Sequence, residues 1–130
     1  MSEPTIANSS RTILVIDDDP YARDITGRLL EVLGYDVQMA PDGETGVRLF
    51  CEHSSAIHAV ILDCQLPGKN GDEVLHELRR IDRDIPIILC TSCRPHDPDC
   101  DCPEKEVTDF LEKPLSYDHL AEVIGKVIRH

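Results

Sequence analysis

Five short apolar runs, at 12–16, 37–40, 59–62, 85–90 and 108–112, recur along the chain with stretches of helical length between them. Continuous apolar runs of this length suit strands buried on both faces, the condition of a parallel sheet covered by helices. The intervening stretches carry a helical period. From Pro20 to Leu33, the residues Ala22, Ile25, Leu29, Val32 and Leu33 share one predicted inner face, and Gly34 stands where a helix C-cap is wanted. Asp42 opens a second helix, with Val47, Leu49 and Phe50 near its end. Asp72 is placed to cap a third, with Val74, Leu75, Leu78 and Ile81 facing inward, and Ser116 to cap a last one bearing Leu120, Val123, Ile124 and Val127. Strands alternating with helices through right-handed crossovers predict one doubly wound α/β domain.

One unit breaks the alternation. Between Cys93 and Lys105 the chain holds three prolines and almost no aliphatic residues, which argues against a regular amphipathic helix. The helix between the fourth and fifth runs is expected to be short, irregular or missing. Residues 1–10 are polar and without period, and read as a flexible tail ahead of a domain spanning 11–130.

Charge narrows the partners. With 25 acidic against 13 basic residues, the formal net charge is −12, which repels phosphate backbones and anionic lipid and suits cations or basic docking surfaces. No stretch approaches the roughly 20 apolar residues of a membrane span, and the first ten residues lack a secretory pattern. These features predict a cytoplasmic protein. Its six cysteines are then expected to stay thiols or bind metal rather than pair.

The ends of the runs carry the chemistry. The first ends in Asp17-Asp18-Asp19, the third in Asp63, the fourth in Thr91-Ser92 and the fifth in Lys113-Pro114. In an open parallel sheet all of these meet beyond the carboxyl ends of the strands, where ligands bind. The second run, ending in Ala40-Pro41, adds nothing comparable and belongs at the edge. Clustered carboxylates need compensating charge, and hard oxygen donors beside a lysine suit Mg²⁺. A cation flanked by an ammonium and a threonine hydroxyl is an arrangement for phosphoryl oxygens, and a carboxylate can itself be the nucleophile.

Four motifs at these positions, ILVIDDDP, ILDCQLPGKNGDEVL, ILCTS and DFLEKPL, occur in order with a helix-sized gap between each. Through them the chain resembles the response-regulator receiver domain of two-component systems from Thr12 to Ile128. The resemblance implies a flavodoxin-like sheet of order 2-1-3-4-5, with Asp63 as phosphoacceptor for a histidine kinase or histidine phosphotransfer domain. It implies that Asp18 binds Mg²⁺ directly, Asp17 chiefly through water, and Gln65 through its carbonyl. Thr91 and Lys113 would hold phosphoryl oxygens, Phe110 would sit at the aromatic switch position, and the Lys113–Pro114 bond would be cis. Phe110 read on its own residues is equally a core aromatic. The chain departs from the family pattern at Ser92, at Glu106-Val107, and throughout 93–105, part of the face through which a homodimer or a downstream target would be engaged.

Two rival readings follow from other residues. Cys93, His96, Cys100 and Cys102 could complete a tetrahedral Zn²⁺ site in a metal- or redox-responsive module, although their spacing matches no standard knuckle and Cys90 is expected to point into the sheet. Asp17-x-Asp19 also resembles the nucleophile motif of haloacid-dehalogenase-type phosphatases, but Pro20 follows it and no later acidic pair completes that site.

Overall fold

The computed structural model describes residues 11–64, 66, 71–92 and 107–128. The expected tail, the irregular segment between the fourth and fifth strands, Gln65 and the four proposed zinc ligands all lie outside these residues. Five parallel strands, β1 (Thr12–Ile16), β2 (Asp36–Ala40), β3 (Ile57–Asp63), β4 (Ile87–Thr91) and β5 (Asp109–Glu112), form one sheet in the order 2-1-3-4-5. Four helices occur among the described residues: α1 (Pro20–Val32), α2 (Gly43–His53), α3 (Gly71–Ile81) and α4 (Tyr117–Val127).

Alternation along each strand divides the core in two. Leu14, Ile16, Val60, Leu62, Ile87 and Leu89 face α2 and α3 together with Phe50 and Leu75. Their neighbours Ile13, Val15, Ile61 and Ile88 pack on the other face with Leu30, Leu111, Leu120 and Ile124. Both faces are covered, so β1, β3 and β4 must be apolar at almost every position. The third strand starts two residues earlier than its apolar run. It reaches Ile57 across a register shift between Thr12 and Ile13, and His58 there accepts the Thr12 N–H at 3.3 Å.

The helix starts obey the capping chemistry. Asp19 accepts from Tyr21 N at 3.0 Å with Pro20 at the first helical position, Asp42 from Thr45 N at 2.7 Å, and Ser116 from His119 N at 3.1 Å. Gly34, at φ +100°, ends α1 in the left-handed region that glycine enters without steric cost. Asp72 is not the cap of α3. The helix begins at Gly71, which leaves Asp72 inside the first turn.

The predicted inner face of α1 is also corrected. The buried residues are Thr26, Gly27 and Leu30, while Ile25 is 37 % and Val32 71 % exposed. Gly27 lies under the terminal methyl of Met39 on β2, which occupies the space a Cβ would take. A small, polar-flanked strip thus seats the helix, and part of its aliphatic stripe is turned outward. On α3, Val74, Leu75 and Leu78 are buried as expected, whereas Ile81 is 38 % exposed.

Asp42 offers a direct check on the capping. Hydrogen bonds from the Thr45 backbone and then its hydroxyl hold the Asp42 carboxyl below the usual carboxylate range, against a small opposing effect of burial. Asp42→Ala should lower unfolding free energy by about 1 kcal/mol at neutral pH. Because the folded-state value is depressed, that contribution is present above about pH 4 and fades as pH falls through it. Urea unfolding of both proteins at neutral and acid pH measures the convergence.

Candidate functional site

Three acidic side chains meet at the carboxyl ends of the strands, as the positions of the apolar runs require. Ligand atoms of Asp17, Asp18 and Asp63 lie within 4.8 Å of one another. Asp17 and Asp63 are each only 5 % exposed, and Asp18 is exposed. Lys113 reaches between the two buried carboxylates, with its Nζ 3.2 Å from Asp63 Oδ1 and 3.8 Å from Asp17 Oδ2. Burial pushes the Lys113 ammonium toward losing its proton, but the charges of Asp63 and Asp17 outweigh this and raise its pKa above the ordinary value. It is therefore a fixed cation.

The supports of this cluster come from several elements. Asp17 N–H donates to Ala40 O of β2 at 3.1 Å, and Asp17 Oδ1 accepts from Asp19 N at 3.0 Å. Arg23 of α1 donates to the Asp17 carbonyl at 2.8 Å, tying the loop to the helix. Asp63 ends the central strand β3, paired in register with Cys90, and the next N–H, of Cys64, donates to Cys90 O at 2.9 Å. Lys113 N–H donates to Thr91 O at 2.8 Å, which sets the lysine beside the buried Thr91. The Lys113–Pro114 bond is cis.

Phe110 pairs with Leu89 in register and packs, partly buried, against the core on the α2–α3 face. Cys90 is a buried free thiol whose pKa is pushed up to about 12, chiefly by burial and further by Asp63 and Asp17, against the pull of Lys113. It stays protonated and unreactive. Cys64 departs from the expectation of thiols throughout: it is disulfide-bonded, whereas Cys51 and Cys90 are free.

The geometry adds participants that residue patterns did not reveal. Arg23 was hidden in a helix, and nothing in its spacing marks it as a carbonyl clamp. Gly71 begins α3 so close to the loop after β3 that a Cβ would stand 2.8 Å from Cys64 O and 3.5 Å from Asp63 O. A cavity of about 450 Å³ adjoins Asp17 and Lys113, walled by Tyr21 and Ile25 of α1 and by Cys90, Pro114 and Leu115. Tyr21 there is 75 % exposed.

A doubly wound parallel domain with three carboxylates and a lysine at its strand ends defines the class of molecule. The chain belongs to the response regulator receiver domain family, whose model matches residues 13–125. It is 33 % identical over 119 residues to the DNA-binding dual master transcriptional regulator RpaA of Synechocystis, which covers 90 % of this chain and 48 % of that protein. The chain thus spans about half the length of the curated relatives it matches. The receiver domain of sensor histidine kinase PA1611 from Pseudomonas aeruginosa, with a magnesium ion in its active-site cleft, superposes with a TM-score of 0.82 at 28 % identity. That alignment covers 90 % of this chain and 96 % of that one. Response regulator TrrA from Thermotoga maritima, in complex with Mg²⁺ and BeF, aligns with a TM-score of 0.78 at 32 % identity over 90 % of this chain and 98 % of that one.

Membership makes the chain a signalling phosphoacceptor module and gives no support to zinc. Receiver domains bind Mg²⁺ at an acidic site, and an all-oxygen cluster of three carboxylates fits such a hard cation. No helix among the described residues is long and apolar enough to cross a membrane.

The tight approach at Gly71 has a measurable consequence. In Gly71→Ala the backbone on one side or the other must move, so stability should drop by about 1–3 kcal/mol. A denaturation midpoint equal to that of the parent protein would show that the approach is not constraining.

Proposed function

We propose that Asp63 accepts a phosphoryl group from the phosphohistidine of a histidine kinase or phosphotransfer protein. A carboxylate oxygen of Asp63 forms the new bond to phosphorus while the phosphorus–nitrogen bond to the donor imidazole breaks, and the imidazole leaves with the bonding pair. Asp17, Asp18, Asp63 and the Gln65 carbonyl are the groups that would hold Mg²⁺, which supplies neutralisation of phosphoryl oxygens when bound. Lys113 orients the Asp63 carboxylate and stands ready to meet a phosphoryl oxygen. Thr91, buried at the end of β4, supplies a hydroxyl, and Phe110, paired on β5 with Leu89 of the same strand, is the side chain whose packing would register its movement.

The observation carrying this reading is the contact of Lys113 Nζ with Asp63 Oδ1 at 3.2 Å, inside a cluster that also holds Asp17 and Asp18. Asp63→Asn removes the nucleophile and keeps the shape. It should abolish incorporation of phosphate from acetyl phosphate, and chelation of Mg²⁺ should do the same to the parent protein. Undiminished labelling of the Asn variant, followed by intact-mass spectrometry, would move the acceptor elsewhere.

The phosphodonor is read from the groove beside the site. Tyr21, Ile25 and Val32 expose apolar surface along α1, and the cavity joins that stripe to Asp17 and Lys113. An exposed apolar stripe at helical spacing fits a partner helix, and a donor helix lying there would bring its phosphohistidine to Asp63. Tyr21→Glu combined with Ile25→Glu should cut transfer from a phosphorylated donor protein by about tenfold or more, equivalent to about 1.4 kcal/mol. Labelling by acetyl phosphate, which needs no docking, reports whether the chemistry is intact. A parallel fall in both reactions would count against docking on α1.

A further inference from the structure

At the end of the sheet away from the carboxylates, arginines gather at one cavity although Asp82 and Asp84 flank Arg83 in the chain. A cavity of about 620 Å³ opens between the last turn of α3 and the approach to β5, and the described residues lining it are His76, Arg79, Arg80, Arg83 and Val107. No acidic side chain among the described residues lines it. In a chain of net charge −12, three of the 13 basic residues at one cavity are a concentrated exception.

The cavity is also built rather than merely charged. Arg79 Nη1 donates to the carbonyls of Ile85 at 2.5 Å and Arg83 at 3.2 Å, and Nη2 approaches Thr108 Oγ1 at 3.5 Å. Thr108 Oγ1 in turn accepts from Ile87 N at 3.0 Å, at the start of β4. The guanidinium of Arg79 is therefore held by three groups around the turn that leads into β4, and this turn carries Arg83. Arg80, one position along, is exposed, and no hydrogen bond to a described residue engages the side chains of Arg80 and Arg83. Val107 provides a small apolar wall.

We propose that this cavity is a docking site for a short acidic segment of a partner protein, with carboxylates meeting Arg80 and Arg83 and an aliphatic side chain against Val107. Arginine suits the task because its planar fork binds a carboxylate through two parallel hydrogen bonds. Length decides between acidic peptide and nucleic acid. Screening confines the favourable field to about 8 Å from the arginines at physiological ionic strength. A few carboxylates fit within that range. A duplex would run beyond it onto a surface that carries the rest of the negative charge. The site lies at the opposite ends of the strands from Asp63, so a partner held here leaves the phosphodonor groove open.

Amide chemical shifts of the full chain, titrated with a capped Glu-Glu-Leu-Glu-Glu peptide, test the proposal. Shifts should concentrate at residues 76–84 and 107–108, and the affinity should fall as salt rises from about 0.05 to 0.3 M. Arg80→Gln with Arg83→Gln removes the charge-assisted hydrogen bonds and should weaken binding by about tenfold or more. Both side chains are outside the hydrogen-bonded framework, so the amide spectrum of the variant should keep the parent's dispersion. A variant that loses that dispersion is replaced by Arg80→Lys with Arg83→Lys, which keeps the charge, removes the fork and should weaken binding less. Equal binding of the Gln-Gln-Leu-Gln-Gln peptide, undiminished binding by the double glutamine variant, shifts centred elsewhere, or tighter binding of a short DNA duplex would each overturn it.

Discussion

The ammonium of Lys113 between Asp17 and Asp63 is the interaction on which the rest of the structure turns. Two carboxylates, each 5 % exposed, cannot be packed at one end of a sheet without a positive charge to offset them. The lysine is held from behind by its own N–H on Thr91 O, so its position follows from the pairing of β4 with β5. Asp63 follows from the pairing of β3 with β4, and Asp17 from that of β1 with β2 and β3. Each charged group is thus anchored by the ladder of a different strand. Parallel pairing matters here because it sends every strand end to the same side. The apolar residues on the two faces contribute no chemistry, yet they set the register that brings the charges together.

Close approach at glycines tightens this frame where helices enter it. Gly71 lets α3 begin against the carbonyls of Asp63 and Cys64, and Gly27 lets α1 settle on Met39. Gly46 has the same relation to Ile16 of β1, the residue before Asp17, since a Cβ there would stand 2.7 Å from Ile16 Cγ1. Only the first involves backbone on both sides, so it is the approach with the least room to relax. The seat of α1 has a second effect. By burying Thr26 and Gly27 rather than Ile25, it leaves aliphatic surface facing outward next to the acidic cluster.

Much of this was legible in the residues. Runs of aliphatic residues located the five strands within one or two positions, and Asp42 and Ser116 capped the helices they preceded. Asp17, Asp63 and Lys113 could be placed together because polar residues that end parallel strands have nowhere else to go. What failed depended on contacts between elements. On α1, Leu29 and Leu33 pack on the core as their spacing implies, whereas Ile25 and Val32 face outward and Thr26 and Gly27 are buried, because hydrophobicity alone does not fix how a helix is rotated on its neighbours. Asp72 looked like a cap by type, but the helix begins at Gly71, two residues sooner than that cap would allow. The disulfide at Cys64 depends on which sulfurs the fold brings together, and thiol pairing in space has no signature in spacing along the chain.

Carboxylates and arginines gather at opposite ends of the strands. Three carboxylates stand at one end of the strands, where Lys113 offsets the two buried ones, and an apolar groove lies beside them. At the other end the turn between α3 and β4 is fastened by Arg79 to Ile85 O and Thr108, so β4 and β5 begin from one hydrogen-bonded corner. Those two strands end in Thr91 and Lys113. That corner lies at the opposite ends of β4 and β5 from Thr91 and from Lys113, the side chain that meets Asp63 of β3. Strands of four and five residues, with β4 buried throughout, hold the two ends a short and closely packed distance apart.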